Sequence, residues 1–388
     1  MLRAVFKNSI AILLCGLALA ACKPDYETFA YVGGWDWEGN VYPFRSYALD
    51  RETGDLSQIG AGVDLGLNPS TIVPSPDGRF LYVGHEAYNP PYDGISTAGV
   101  DRATGLLTPL AHRSFPNDIS FVSLDRRAQY VLAASYGGGK VAAFPIDEDG
   151  LPSEPTDTLD FPAQANGDSA QTHSIRQHVS GRLYVAHKGL SKITILGFDP
   201  GTGQFLPNTP GEIDTAYAQP RHIDFTPDQR FLFASFESAS MVAGYAIGAD
   251  GGLTEVSALS TIPADFTLTN TCSHILIHPS GRFLYVANRG HDSIAVFAID
   301  RAGKLTFLEH QYVEKAKPGD KATPWHFDID PFGKLMVVVN HGDQDTQLPP
   351  GSLETFSIGT DGRLMKVGKT VTGLKSPISV RLITRPKD

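Results

Sequence analysis

Three observations predict an all-β chain closed into a seven-bladed β-propeller of four-stranded antiparallel blades. A turn that opens a strongly apolar strand recurs about every fifty residues along the 388-residue chain. A second turn, Asp then Gly then an apolar residue, recurs between those. Each end of the chain holds strand-like sequence that lacks partners in its own repeat.

The stretch His274–Leu308 shows one unit. Apolar runs at Ile275–Ile277, Phe283–Ala287 and Ile294–Ile299, with a weaker one at Leu305–Leu308, are separated by Pro279-Ser280-Gly281, Gly290-His291-Asp292 and Asp300-Arg301-Ala302-Gly303. Short β-branched and aromatic runs between such turn residues read as antiparallel strands. The first landmark closes on a basic residue at Arg79, Arg127, Arg182, Arg230, Arg282 and Lys334, at intervals of 48, 55, 48, 52 and 52 residues. The second begins at Asp50, Asp101, Asp147, Asp199, Asp250, Asp300 and Asp361. It reads as a hairpin turn in which Gly supplies a positive φ and Asp bonds the turn backbone.

Six copies of one landmark and seven of the other are reconciled by ring closure. Phe29–Gly33 resembles the second strand of a repeat with no innermost strand before it, and Ser376–Ile383 reads as an innermost strand with nothing after it. Pairing the C-terminal strand (about 376–383) with the N-terminal blade completes a seventh blade and leaves no free edge. One propeller is therefore expected over residues 28–384, with Pro-rich rim insertions at Tyr88–Gly94 and Leu348–Gly351. The high Gly and Pro content, 39 and 27 residues, suits a fold with this many turns.

Ahead of the propeller stands an address. Arg3 and Lys7 precede the small and apolar run Ile10–Ala21, which is short for a membrane span and ends as a secretory signal does. Leu19-Ala20-Ala21-Cys22 resembles a bacterial lipobox. Residues 1–21 are thus expected to be a signal peptide, Cys22 the lipidated first residue and 22–27 a tether. Lys23 after the Cys resembles the outer-membrane class of sorted lipoproteins. The expected location is the periplasmic side of the envelope, with membrane contact only through the lipid on Cys22. Net charge of −10, made two units more negative by loss of Arg3 and Lys7, argues against a nucleic-acid partner. Of Cys15, Cys22 and Cys272 only the last remains as a thiol, which excludes a disulfide framework and a Cys-based metal site. Cys272 reads as a buried structural thiol.

Antiparallel pairing brings the starts of the innermost strands and the ends of the second strands to one mouth of the central channel. Six residues before each turn Pro, or its stand-in, come Ser70, Asp118, His173, Arg221, Ser273 and Trp325; one residue later come His222, His274 and His326. The second strands end at Glu86, Tyr136, Lys188, Glu237, Arg289 and His341. Polar groups converging on a concave end are the default site. His222, His274 and His326 share a register and read as a structural ladder. His173 breaks it, and Arg221 with Glu237 reads either as an ion pair or as part of the site. No cofactor is called for, and no His or carboxylate spacing demands a metal.

Asn68-Pro69-Ser70 with Ser75–Val83, Tyr136–Gly139 through Gly150, and Asn288–Phe297 together resemble the seven-bladed propeller lactonases, which include 6-phosphogluconolactonases and carboxymuconate cyclases. The resemblance implies a catalytic set of His173, Arg221, Glu237 and Arg289. His222, His274, Trp325, His326, Tyr136, His291 and Glu86 are expected to bind substrate around them. The family often has Glu at the position of His274 and Arg at that of Trp325. It implies metal-independent hydrolysis of a sugar or carboxylated lactone, with His173, whose ordinary pKa lies near neutrality, as general base. Two other readings fit the same sequence: a non-catalytic envelope propeller that binds a protein or ligand, and a muconate-type cycloisomerase.

Overall fold

The computed structural model describes residues 25–36, 41–87, 93–315, 319–343 and 350–387. The signal peptide, Cys22, most of the first expected rim insertion and half of the second lie outside the described residues.

Seven antiparallel sheets follow one another around a central channel. The second, for example, is built from Pro69–Pro74, Phe80–His85, Gly94–Val100 and Leu107–Arg113, in sequence order from the channel outward. The first is composite. Its innermost strand is Pro377–Pro386, which pairs with Tyr26–Gly34, followed by Pro43–Leu49 and Leu56–Asp64. The closure expected from the unequal landmark counts is therefore present. One detail differs from four plain strands per blade. In the fourth sheet the outer strand is split into Gln204–Leu206 and Glu212–Asp214, both against Lys192–Asp199. Pro207 and Pro210 lie in the gap, and neither has an N–H for the ladder.

The two sequence landmarks turn out to be partners across blade boundaries. A Cβ on Gly105 would lie 2.5 Å from Phe29, and one on Gly303 2.5 Å from Phe231, so these two hairpin glycines lie against a ring of the preceding blade. Tyr82, Tyr184 and Tyr285 donate their hydroxyls to the carbonyls of Gly150, Gly251 and Gly362 in the next blade, at 3.1, 2.7 and 2.9 Å. Between the sheets lie clusters such as Tyr285, Val296, Phe327, Met336 and Phe356, all fully buried. Burial of this kind, at roughly 25 cal/mol per Å2 of apolar surface, is the main force joining blades.

At one end of the ring five of the seven innermost strands begin alike. Asn68, Gln171, Gln219, Thr323 and Ser376 take positive φ just before the strand. The first four accept the backbone N–H of the residue that ends the neighbouring second strand or follows it, namely Glu86, Lys188, Glu237 and His341, at 2.9 to 3.1 Å. Register then slips at Pro69/Thr71, Thr172/Ser174, Pro220/Ile223, Cys272/Ile275 and Pro324/His326. The residues in these bulges include Ser70, His173, Arg221, Ser273 and Trp325. A bulge re-aims the side chain it inserts, and here it aims several of them into the mouth.

Candidate active site

A cavity of about 540 Å3 occupies that mouth, walled by Trp35, Asp36, Leu67, Asn68, Glu86, Ala87, Asp118, Tyr136, His173, Lys188, Arg221, Glu237, Arg289 and Trp325. All seven blades contribute to it.

Its electrostatic centre is Glu237. Its backbone is fixed from both sides, the N–H donating to Gln219 O at 2.9 Å and the carbonyl accepting from Cys272 N at 3.0 Å. One carboxylate oxygen takes Arg289 Nη2 at 2.8 Å and Lys188 Nζ at 3.0 Å, and the other faces Arg221 Nε at 3.1 Å. Burial alone would raise this carboxyl; Arg289, Arg221 and Lys188 overcome it and hold it down at about 2. The cations are themselves placed. Arg221 Nη1 donates to Ser273 O at 2.7 Å, and Arg289 lies with its guanidinium carbon 4.4 Å from the centre of the Trp325 ring. Trp325 meets Trp35 edge-on at 5.0 Å, so two indoles form an apolar wall beside the charges.

Across the cavity sit two carboxyls from neighbouring blades. Asp118 is buried and accepts from Gly137 N at 2.7 Å and Ser135 Oγ at 3.3 Å, which ties it to the Tyr136–Gly139 turn. Its pKa is raised, burial outweighing those bonds. Glu86 is half-buried in the wall, with its pKa pushed up to about 8 by burial first and the Asp118 charge second.

His173 lies between these groups, edge-on to Tyr136 at 5.6 Å, with Nδ1 lacking a hydrogen-bond partner. The expectation that it titrates near neutrality is corrected by its surroundings. Burial, and then the Arg221 charge, drive its pKa well below 6.5, so the imidazole is neutral at neutral pH.

Of the side chains singled out in the sequence, His173, Arg221, Glu237, Arg289, Glu86, Tyr136 and Trp325 meet in the cavity, together with Asp118 and Lys188. The others are elsewhere. His222, His274 and His326 form the ladder from blade to blade: His222 Nδ1 and His274 Nδ1 are 2.8 Å apart, and His274 stacks on His326 with ring centres 3.8 Å apart. His291 is turned toward the outer part of its blade, on Ser293 Oγ at 2.7 Å and Tyr312 Oη at 3.2 Å. Cys272 is a buried free thiol whose pKa burial pushes up to about 12. Sequence reasoning missed Trp35 and Asn68 as wall residues. The signal for Trp35 was present: Tyr31-Val32-Gly33-Gly34-Trp35 runs in the same register as Tyr82-Val83-Gly84-His85-Glu86.

Comparison with known proteins adds a lineage to this geometry. A family model described as a seven-bladed β-propeller lactonase matches residues 30–381. The 6-phosphogluconolactonase of Bacillus subtilis is 29% identical over 370 residues, covering 91% of this chain and 97% of that protein. That of Pectobacterium carotovorum is 31% identical over 303 residues, covering 75% and 85%. Among solved structures, a periplasmic gluconolactonase of Pseudomonas aeruginosa superposes with a TM-score of 0.80 at 24% identity, covering 92% of this chain and 99% of that one, a likeness of fold.

Proposed function

This chain belongs to the seven-bladed β-propeller lactonase family, and on that premise we propose that it is a lactone hydrolase acting at the channel mouth without a metal. The relatives named 6-phosphogluconolactonase support lactone hydrolysis as the reaction class. The observation that carries the reading is Glu237 bound to three cations inside a cavity of about 540 Å3. A lactone carbonyl under attack by water develops negative charge on oxygen. Arg221 and Arg289, held in place by one shared carboxylate, supply the positive charge for that oxyanion without reorganising. Glu237 is saturated by its cations and acts as their anchor. His173, held neutral in the cavity wall, accepts a hydrogen bond from the attacking water through a ring nitrogen and orients it.

The substrate we favour is an unphosphorylated sugar or aldonic lactone, or another carboxylated lactone. The Trp35–Trp325 wall suits the C–H face of a sugar ring, and the expected signal and lipid on Cys22 would take the protein away from phosphorylated cytoplasmic sugars. Purified protein should open at least one unphosphorylated lactone in a pH-stat assay, with turnover unchanged by EDTA. Failure to hydrolyse any lactone of a panel that includes the 6-phospho compound would overturn the reading, and EDTA inhibition would overturn its metal-independent part. Cells fed a labelled fatty acid should label the protein, and the Cys22→Ser variant should stay unlabelled and free of the membrane.

A further inference from the structure

The lactonase reading leaves open which side chain moves the proton. Several candidates in the cavity are already committed. Glu237 is bound by Arg289, Arg221 and Lys188. Asp118 is engaged by Gly137 N and Ser135 Oγ, and Lys188 is spent on Glu237. His173 sits beside Arg221, whose charge opposes its protonation.

Glu86 is placed differently. Its backbone is clamped on both sides by one residue, the N–H donating to Asn68 O at 3.1 Å and the carbonyl accepting from Asn68 Nδ2 at 3.0 Å. Asn68 Oδ1 also accepts Asp36 N at 3.0 Å, which draws the Trp35–Asp36 segment to the same spot. The Glu86 carboxyl thus enters the cavity from a fixed base. The charges that face it are Asp118 from the next blade and Arg221 and Arg289 from the far wall, with the Trp35 indole beside it. A second carboxyl next to it, in a partly dry cavity, is the arrangement by which one of two acids is kept ready to hold a proton.

We propose that Glu86 carries the proton in lactone opening, taking it from the attacking water and returning it to the ring oxygen. The role rests on the lactonase reading of this cavity. Ionised Glu86 accepts a proton as the water oxygen bonds to the carbonyl carbon, and the carbonyl π electrons move onto the oxygen facing Arg221 and Arg289. As the tetrahedral adduct collapses, the ring C–O bond breaks and its oxygen takes the proton from Glu86. Water and lactone become one hydroxy acid, and Glu86 is again ionised. Asp118 is a positioning residue, favouring the form of Glu86 that gives the proton back.

The group is mostly protonated in the free enzyme at neutral pH, since its pKa stands at about 8. The value of kcat/KM should therefore climb about tenfold per pH unit below that point and level above it. The test measures kcat/KM against pH, corrected for spontaneous hydrolysis, for the full chain, Glu86→Gln, Glu86→Asp and His173→Asn. It adds melting temperatures of the full chain and Glu86→Gln at about pH 5 and about pH 9. Glu86→Gln should lose at least about 100-fold and lose the rising limb. Glu86→Asp should keep a limb at reduced rate, and His173→Asn should lower the rate and keep the limb where it was. Because a buried carboxylate is absent from Glu86→Gln, its melting temperature relative to the parent should be higher at the alkaline pH than at the acid one. A Glu86→Gln enzyme within about tenfold of the parent, or one that keeps the limb, overturns the role while leaving the lactonase reading intact. A parent protein that opens no lactone overturns both, whatever the melting temperatures.

Discussion

Three cations on one buried carboxylate make Glu237 a residue whose removal is felt twice. Glu237→Ala leaves Arg221, Arg289 and Lys188 with no counter-charge in a confined space, and loss of one partner from a buried charge network costs about 3–5 kcal/mol. Denaturant titration should show a loss of that order. The pH dependence has a definite sign. The folded carboxyl lies at about 2 against 4.5 for the free group, so its stabilisation is complete above about pH 4.5 and disappears as pH falls toward 2. Glu237→Gln should flatten the stability curve in that window by on the order of 3 kcal/mol. On the activity side, His173→Ala and Arg289→Ala should each lower kcat for a lactone by at least about 100-fold with circular dichroism unchanged. His173 and Arg221 were legible in the sequence because a fixed count from the turn Pro, or its stand-in, lands on the bulge of their innermost strands, and Glu237 and Arg289 because the second strands end at the same mouth. The count could not separate Arg221 from His222. Both sit in the Pro220/Ile223 bulge, where simple alternation fails and their side chains touch at 3.3 Å, and only the structure shows Arg221 in the cavity wall and His222 packed on His274. Nor could it reveal that His173 is held neutral and Glu86 protonated, since both depend on burial and on charges from other blades.

At the scale of the element, the hairpin glycines and the rings they cover are one device written in two places. Gly303 has φ +79 and its missing Cβ would meet Phe231, whereas Gly181, φ +88, faces open space. Gly303→Ala should cost about 2–4 kcal/mol, combining backbone strain with overpacking, and Gly181→Ala only about 1 kcal/mol. Urea melts of the two variants would check the difference. Both landmarks were visible as repeats. Their mutual contact was not, because it joins a residue to one about seventy positions further on, as in Tyr82 with Gly150. The split outer strand of the fourth sheet was foreshadowed by Pro207 and Pro210, but a lone Pro pair does not say whether a strand ends there or resumes.

The whole molecule depends on its last ten strand residues. Tyr26–Gly34 pairs along its full length with Pro377–Pro386, reinforced by Thr28 with Thr384 at 2.9 Å and Arg385 with Glu27 at 2.5 Å. Deleting the chain from Ser376 onward should expose that strand's inner edge and abolish the single cooperative unfolding transition, seen as loss of a defined melt in calorimetry. The same pairing fixes an orientation. Gly34 and Pro377 lie at the cavity end, where Trp35 enters the wall, while Tyr26 and Pro386 lie roughly nine residues away along the strands, about 30 Å. Asp25 meets Lys387 at that far end, its carbonyl accepting Lys387 N at 2.8 Å. Whatever holds the protein by the residues before Asp25, a lipid on Cys22 included, therefore grips it from beneath. Were the proposed lipid on Cys22 seated in a bilayer, the opening would look away from it, toward whatever diffuses past.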